Sequence, residues 1–176
     1  MITNLALQTN NLILRTLHQA DAPAVFKYAS DPEITQFMPW AAHTSITDTK
    51  KFIAAQAIQT TKMIWAIEQI GTNTIIGECG FANFTNSSAD LHYTLARNYW
   101  GQGLAYEVVT TLIDFGFETL NLTRIESWII EHNTRSQRLA KKVGMNHEIT
   151  LPDYWWTHDQ LYDVHIYAIN RPECQL

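Results

Sequence analysis

The stretch Arg97-Asn98-Tyr99-Trp100-Gly101-Gln102-Gly103-Leu104-Ala105 constrains this chain more than any other, because it joins a strand-like run to an amphipathic helix through two glycines. Upstream, Leu91, Tyr93 and Leu95 alternate with His92 and Thr94, the period of two expected of a strand. Downstream, Leu104, Ala105, Val108, Val109, Leu112, Phe115 and Gly116 share one helical face, while Glu107, Asp114 and Glu118 fall mostly elsewhere. A helix starting near Gly103 directs its unpaired N–H groups and the positive end of its dipole into the turn. Glycines let the main chain come close to a ligand, so the turn suits an anion such as phosphate.

Spacing excludes two kinds of phosphate-binding turn. A Walker loop ends in Gly-Lys-Ser/Thr, and no lysine or hydroxyl residue follows Gly103. A dinucleotide fingerprint needs a third glycine and a βαβ unit carrying a ribose-binding acid, and neither follows here. The remaining pattern, Q/R-x-x-G-x-G/A, is the turn that holds the pyrophosphate of coenzyme A. Trp100 to Ala105 resembles it, most closely the aromatic-Trp-Gly-x-Gly-x-Ala version of GCN5-related N-acetyltransferases (GNAT) in the ribosomal-protein-acetylating, RimJ/RimL-like branch. Trp100 stands where most relatives have Gln or Arg, a departure that bears on the side chain and not on the main-chain amides.

A second block resembles the same family. Asn133-Thr134-Arg135-Ser136, followed by Lys142-Val143-Gly144-Met145, matches its Asn-x-x-Ser and Lys-x-Gly-Phe segments in order. Arg124 to Ile130 reads as a strand and Thr134 to Val143 as a short helix closed by Gly144. Asn133 is equally a good helix N-cap, and the two roles are compatible. Arg135, Arg138 and Lys142 recur at helical spacing, with Lys141 beside them; they read either as a solvated face or as an attraction for the coenzyme's 3′-phosphate and adenine end.

The resemblance extends over nearly the whole chain. Asn11 to Thr16 is similar to the family's first strand, and Asp21 to Ala29, Asp31-Pro32-Glu33 and Ile46 to Gln59 to its early helices. Met63 to Gln69 and Thr74 to Ala82 read as a hairpin around Gly71-Thr72-Asn73. Ala89 to Leu95 stands where the family writes Ala-Glu-Ile-Gly-Tyr, and Glu148 to Tyr154 and Gln160 to Ile169 resemble the last two strands. The implied fold class is α/β, a mixed central sheet of about six to seven strands flanked by about four helices.

Composition bounds the reading. A chain of 176 residues with 46% hydrophobic content is expected to form one domain over residues 1–176, burying about 70% of its unfolded surface. Met1 to Asn10 has neither a basic start nor a continuous apolar core, so neither a signal peptide nor a membrane partner is expected. Cys79 and Cys174 are too few for a disulfide framework, and cytoplasmic residence follows as the default. A net charge of −5 argues against a nucleic-acid partner and mildly favours a cationic acceptor. His158, Asp163 and His165 do not fall at a recognised ligand spacing, and no metal is expected.

What the resemblance implies for function is acetyl transfer from acetyl-CoA to a primary amine, the N-terminus of a protein or peptide or a small-molecule amine, with both substrates bound together. Three tasks arise: taking a proton from the ammonium, stabilising the oxyanion and protonating the thiolate. Asp90 occupies the strand position of the catalytic glutamate in several relatives, and alternation puts His92 on the same face; Asp90, His92 and water all stand as the base. A backbone N–H near Thr94 or Leu95 suits the oxyanion. Many relatives protonate the thiolate with a tyrosine, but that position holds Ala140, and Ser136 is the replacement the branch implies.

Carried onto this sequence, the cofactor-facing positions are Thr94, Leu95, Trp100, Gly101, Gln102, Gly103, Leu104, Ala105, Asn133, Ser136 and Arg138. The acceptor walls are Phe37, Trp40, Tyr154 and Trp155, aromatics that also suit a core. The competing class is a non-catalytic acyl-CoA-binding or interaction module, favoured by the missing tyrosine. Exposed strand edges also leave a homodimer open.

Overall fold

Eight strands share one sheet that is antiparallel at every pairing but one, and that exception positions everything functional. The computed structural model describes residues 5–59, 61–157 and 159–172. In chain order they form β1 (Leu7–Gln8), β2 (Leu12–Arg15), α1 (Ala22–Ala29), α2 (Pro32–Thr35), α3 (Ile46–Ala57), β3 (Met63–Gln69), β4 (Thr74–Ala82), β5 (Ser88–Leu95), α4 (Leu104–Glu118), β6 (Arg124–Ile130), α5 (Thr134–Lys142), β7 (Asn146–Thr157) and β8 (Gln160–Asn170). The sheet order is β1-β2-β3-β4-β5-β6-β8-β7. The expected mixed α/β class holds, with eight strands and five α-helices among the described residues instead of about six to seven strands and about four helices. The added strand β1 is two residues long, too short to carry a period, and is defined by pairing Leu7 with Leu14 and Gln8 with Ile13.

The parallel pairing joins β5 to β6 through Ser88–Arg124, Ala89–Ile125 and Asp90–Glu126, and there the ladder stops. Beyond Asp90 the strands part, leaving Leu91–Leu95 on one side of a gap and Ser127–Ile130 on the other. Each sheet face has its own core. On one face α4 buries Val108, Leu112 and Phe115 in a cluster with Phe81, Leu91 and Ile125. On the other, α1, α2 and α3 contribute Val25, Tyr28, Ile34 and Ile53, packed with Ala66 and Ile75. Burial of such residues is the main stabilising term, of order 2 kcal/mol for each large side chain removed from water.

Helix starts are set locally. α3 opens with a reciprocal cap, in which Ser45 Oγ accepts from the Asp48 N–H and Asp48 Oδ2 accepts from the Ser45 N–H. α5 opens on Asn133, whose side chain accepts from the Ser136 N–H at 3.2 Å. α4 opens on Gly103, which has no side chain to offer. No helix among the described residues is long and apolar enough to cross a membrane. His158 and Cys174, together with residues 1–4 of the N-terminal stretch read above, lie outside the described residues.

Candidate active site

Gly101 and Gly103 sit at φ +74° and +82°, a backbone region that side chains disfavour, and bend the chain between Trp100 and α4. A Cβ placed on either would meet nothing within 4 Å, so the turn is open on its outer side. The first helical bond runs from the Glu107 N–H to the Gly103 carbonyl, which leaves the amides of Leu104, Ala105 and Tyr106 without intrahelical acceptors. These residues line a cavity of about 470 Å³ whose far wall is α5. Three cations of that helix, Arg135, Arg138 and Lys142, stand on this wall. The Arg135 guanidinium lies 4.4 Å from the Trp100 ring centre and the Lys142 ammonium 4.6 Å from that of Tyr106, so two stacked pairs frame the opening. Trp100 Nε1 donates to the Leu95 carbonyl at 2.8 Å, which fixes the ring and commits its only donor. Positive charge, unpaired amides and an open glycine cradle make this wall a receptor for a polyanion.

A second chamber of about 300 Å³ opens on the α3 side of the gap. Its walls come from seven stretches separated in sequence, with Trp40, Phe52, Glu78, His92 and Trp155 among their residues. Phe37, Met38, Tyr93, Thr94, Asn133 and Ser136 line both cavities and mark where they meet. At that junction the Tyr93 hydroxyl donates to Ser136 Oγ at 3.1 Å, tying β5 to α5 across the gap. Burial pushes the Tyr93 phenol above its ordinary pKa, against the pull of the Ser136 bond, so it stays protonated and able to donate.

The structure brings most of the expected residues to these two spaces. Thr94, Leu95, Trp100, Gly101, Gly103, Leu104, Ala105, Asn133, Ser136 and Arg138 line the first cavity. Asp90, His92, Phe37, Trp40 and Trp155 line the second. Gln102 lines neither; it is exposed and its Nε2 donates to the Asn98 carbonyl at 2.8 Å. Tyr154 is also elsewhere, 55% exposed with its ring 5.4 Å from that of Trp128. The β7–β8 register shifts between Leu151 and Trp155, with Asp153 at φ +48°, and alternation can no longer fix which way residue 154 faces.

Electrostatics separate the groups on the chamber wall. Burial raises the Asp90 pKa against the hydrogen bond from Asn83 Nδ2, and nearby Glu126 adds to the rise. His92 is depressed to about 4, first by burial and then by Lys62, and is therefore neutral at physiological pH. Glu78 is pushed up to about 7 by burial, partly opposed by Lys62. Sequence reasoning passed over Tyr93, whose phenol reaches Ser136 across the gap, and Glu78, which sits in an ordinary-looking hairpin strand. The only local hint was an acid between Gly77 and Cys79 in an otherwise apolar strand.

Residues 11–146 match the profile of the acetyltransferase (GNAT) domain. The chain is 34% identical over 172 residues to the uncharacterized N-acetyltransferase p20 of Bacillus licheniformis, covering 95% of this chain and 97% of that protein. Its fold superposes on a GNAT-family acetyltransferase from Bacillus anthracis with a TM-score of 0.86 at 23% identity, over 94% of this chain and 98% of that one. It superposes on RimL, a ribosomal L7/L12 α-N-protein acetyltransferase in complex with coenzyme A, with a TM-score of 0.85 at 18% identity, over 94% and 98% of the two chains. The chain belongs to the GNAT acetyltransferase family, and its neighbours include the ribosomal-protein acetyltransferases of the RimJ/RimL-like branch. It is thus an acyltransferase dependent on acetyl-CoA.

Proposed function

We propose that this acetyltransferase acetylates a primary amine by direct attack, with both substrates bound in the two cavities that meet at Tyr93 and Ser136. That meeting point is the observation that carries the assignment. The open cradle over Gly101 and Gly103 fits a pyrophosphate, the free amides of Leu104 to Tyr106 donate to it, and Arg135, Arg138 and Lys142 balance its charge. Acetyl-CoA supplies an activated acyl group as a thioester. Asn133 and Thr94 line the path between the cavities, and a main-chain N–H near Thr94 or Leu95 stabilises the oxyanion.

Ser136 Oγ accepts from Tyr93, which leaves its own hydrogen free to donate to the departing sulfur. A thiol pKa near 8.5 makes this a modest task for a neutral hydroxyl. The bond from Tyr93 supports turnover over a purely binding role, since it restores a phenol beside the site that lacks one at Ala140. Asp90 and neutral His92 belong to the acceptor wall, the side on which the ammonium loses its proton. The whole of residues 1–176 serves this one site as a single domain.

Release of free CoA thiol from acetyl-CoA, measured with a panel of N-terminal peptides, polyamines and arylalkylamines, tests the assignment. At least one primary amine is expected to accelerate release and to be recovered acetylated. Acetyl-CoA binding with no amine-dependent release would return the chain to the binding-module class.

A further inference from the structure

Two acceptor atoms on the wall of the second chamber lack a donor. Glu78 Oε2 and Gln56 Oε1 are buried and make no hydrogen bond, and both residues line the chamber. Glu78 is only 6% exposed, a burial that charged residues rarely reach unless paired. Its place in the sheet is as telling as its isolation. Across the β4–β5 ladder Glu78 pairs directly with Thr94, which lines both cavities, whereas Asp90 pairs with Ala82. Asp90 therefore lies four residues farther along β5, roughly 13 Å of strand from Thr94.

Unsatisfied buried acceptors are costly and are kept where a ligand supplies the donors. Here the missing partner has to bring several N–H donors and, for the carboxylate, a positive charge. A primary ammonium does both, with three donors on one small head. The surrounding rings of Trp40, Phe52 and Trp155 suit an apolar or aromatic stem behind it. Building on the assignment of this chamber to the acceptor, we infer that Glu78 and Gln56 bind the acceptor's ammonium group, and that Glu78 takes its proton. The N–H bond breaks, the proton passes to Oε2 and the electron pair stays on nitrogen, which then attacks the thioester carbonyl. The carbon–nitrogen bond forms, the carbon–sulfur bond breaks with its electron pair going to sulfur, and the second proton lost from the acylated nitrogen goes to that sulfur beside Ser136, giving the amide and free CoA thiol.

The ionisable groups around Glu78 are compatible with that role. Lys62, His92 and Asp90 share its chamber, and Tyr28 and Cys79 adjoin it, both held protonated by burial and by the Glu78 charge. Burial raises the Glu78 carboxyl to about 7, so it can accept a proton and release it near neutrality.

Calorimetry on the CoA-saturated enzyme with 2-phenylethylamine, n-hexylamine and an alanyl dipeptide amine, set against 2-phenylethanol, reads this directly. The wild type is expected to bind at least one amine about tenfold more tightly than the alcohol. Glu78→Gln should weaken that amine about tenfold, lower kcat/KM about 10²-fold and remove the acidic limb near pH 7, with CoA affinity within about twofold of wild type. If Glu78→Gln does not fold, Glu78→Asp should keep the acidic limb at a reduced rate. Wild-type amine affinity and pH profile in Glu78→Gln, or wild-type amine affinity and rate in Glu78→Asp, would overturn the inference while leaving the acceptor chamber intact. A wild type that binds CoA yet neither binds nor acetylates any of the amines would overturn both.

Discussion

The two cavities that meet at Ser136 are built on opposite plans. The proposed coenzyme side is dominated by one contiguous turn, the first amides of α4 and three exposed cations on α5. The proposed acceptor side is assembled from seven separated stretches and holds buried acceptor atoms without donors. A ligand shared by a whole family can be held by main chain, which tolerates drift in side-chain identity. A ligand particular to one member has to be recognised by side chains, and these acquire their environment only when distant elements pack. The first plan is robust and the second is costly, and mutation should expose the difference.

The largest effect is expected at Gly103. Gly103→Val fills the open cradle and strains a backbone at φ +82°, so the rise in Tm caused by CoA should vanish, a loss above about 10²-fold in affinity. Thermal melts with and without CoA check it, and an unchanged CoA-dependent rise would remove the turn from the binding site.

Next in size is a stability effect on the other side. The Glu78 carboxyl titrates at about 7 when folded against an ordinary 4.5. The folded state therefore holds this proton over a range in which the unfolded chain has released it. Stability is full below pH 4.5, falls as pH rises to 7 and stays reduced above, by about 3 kcal/mol. Glu78→Gln abolishes that cost, so the variant should be more stable than wild type at pH 8 and equal to it at pH 4. Urea melts at the two pH values decide the matter; equal stability at pH 8 would mean that the carboxyl is not desolvated.

A smaller loss is expected at the junction. Ser136→Ala should lower kcat about tenfold while CoA affinity stays within about twofold, because the hydroxyl matters when charge develops on sulfur. Adding Tyr93→Phe should cost little more, since both changes break one relay. Additive losses would separate the two residues. The smallest effect is expected at Asp90, which Asn83 already engages at 2.6 Å. Asp90→Asn should cost less than about fivefold at neutral pH, and a loss of about 10² would move the base from Glu78 to Asp90.

What could be read from sequence follows the same division. The turn, the start of α4, the Arg124–Ile130 strand and the Asn133 cap are local patterns, and each lies where spacing and periodicity put it. Asp90 and His92 share a wall because alternation along β5 is unbroken. Glu78 offered no more than the hint of an acid in a mostly apolar strand, because its isolation depends on α3 and on the parting of two strands, neither of which is local to residue 78. The partnership of Tyr93 with Ser136 spans 43 residues and is a fact of packing alone. Tyr154 shows the converse, a residue whose facing was lost to a register shift in β7.

The short coupling of β5 to β6 gives the molecule two strand edges inside its own sheet, in addition to those at its rim. Rim edges invite other chains to add on, whereas these internal edges are flanked by α4 and α5 and admit only something slender and extended. A ligand lying along β5 beyond Asp90 would act as the missing rung between two half-sheets that otherwise open separately. Amide exchange should then slow together in Leu91–Leu95 and Ser127–Ile130 on binding, and the two halves should unfold as one cooperative unit instead of two.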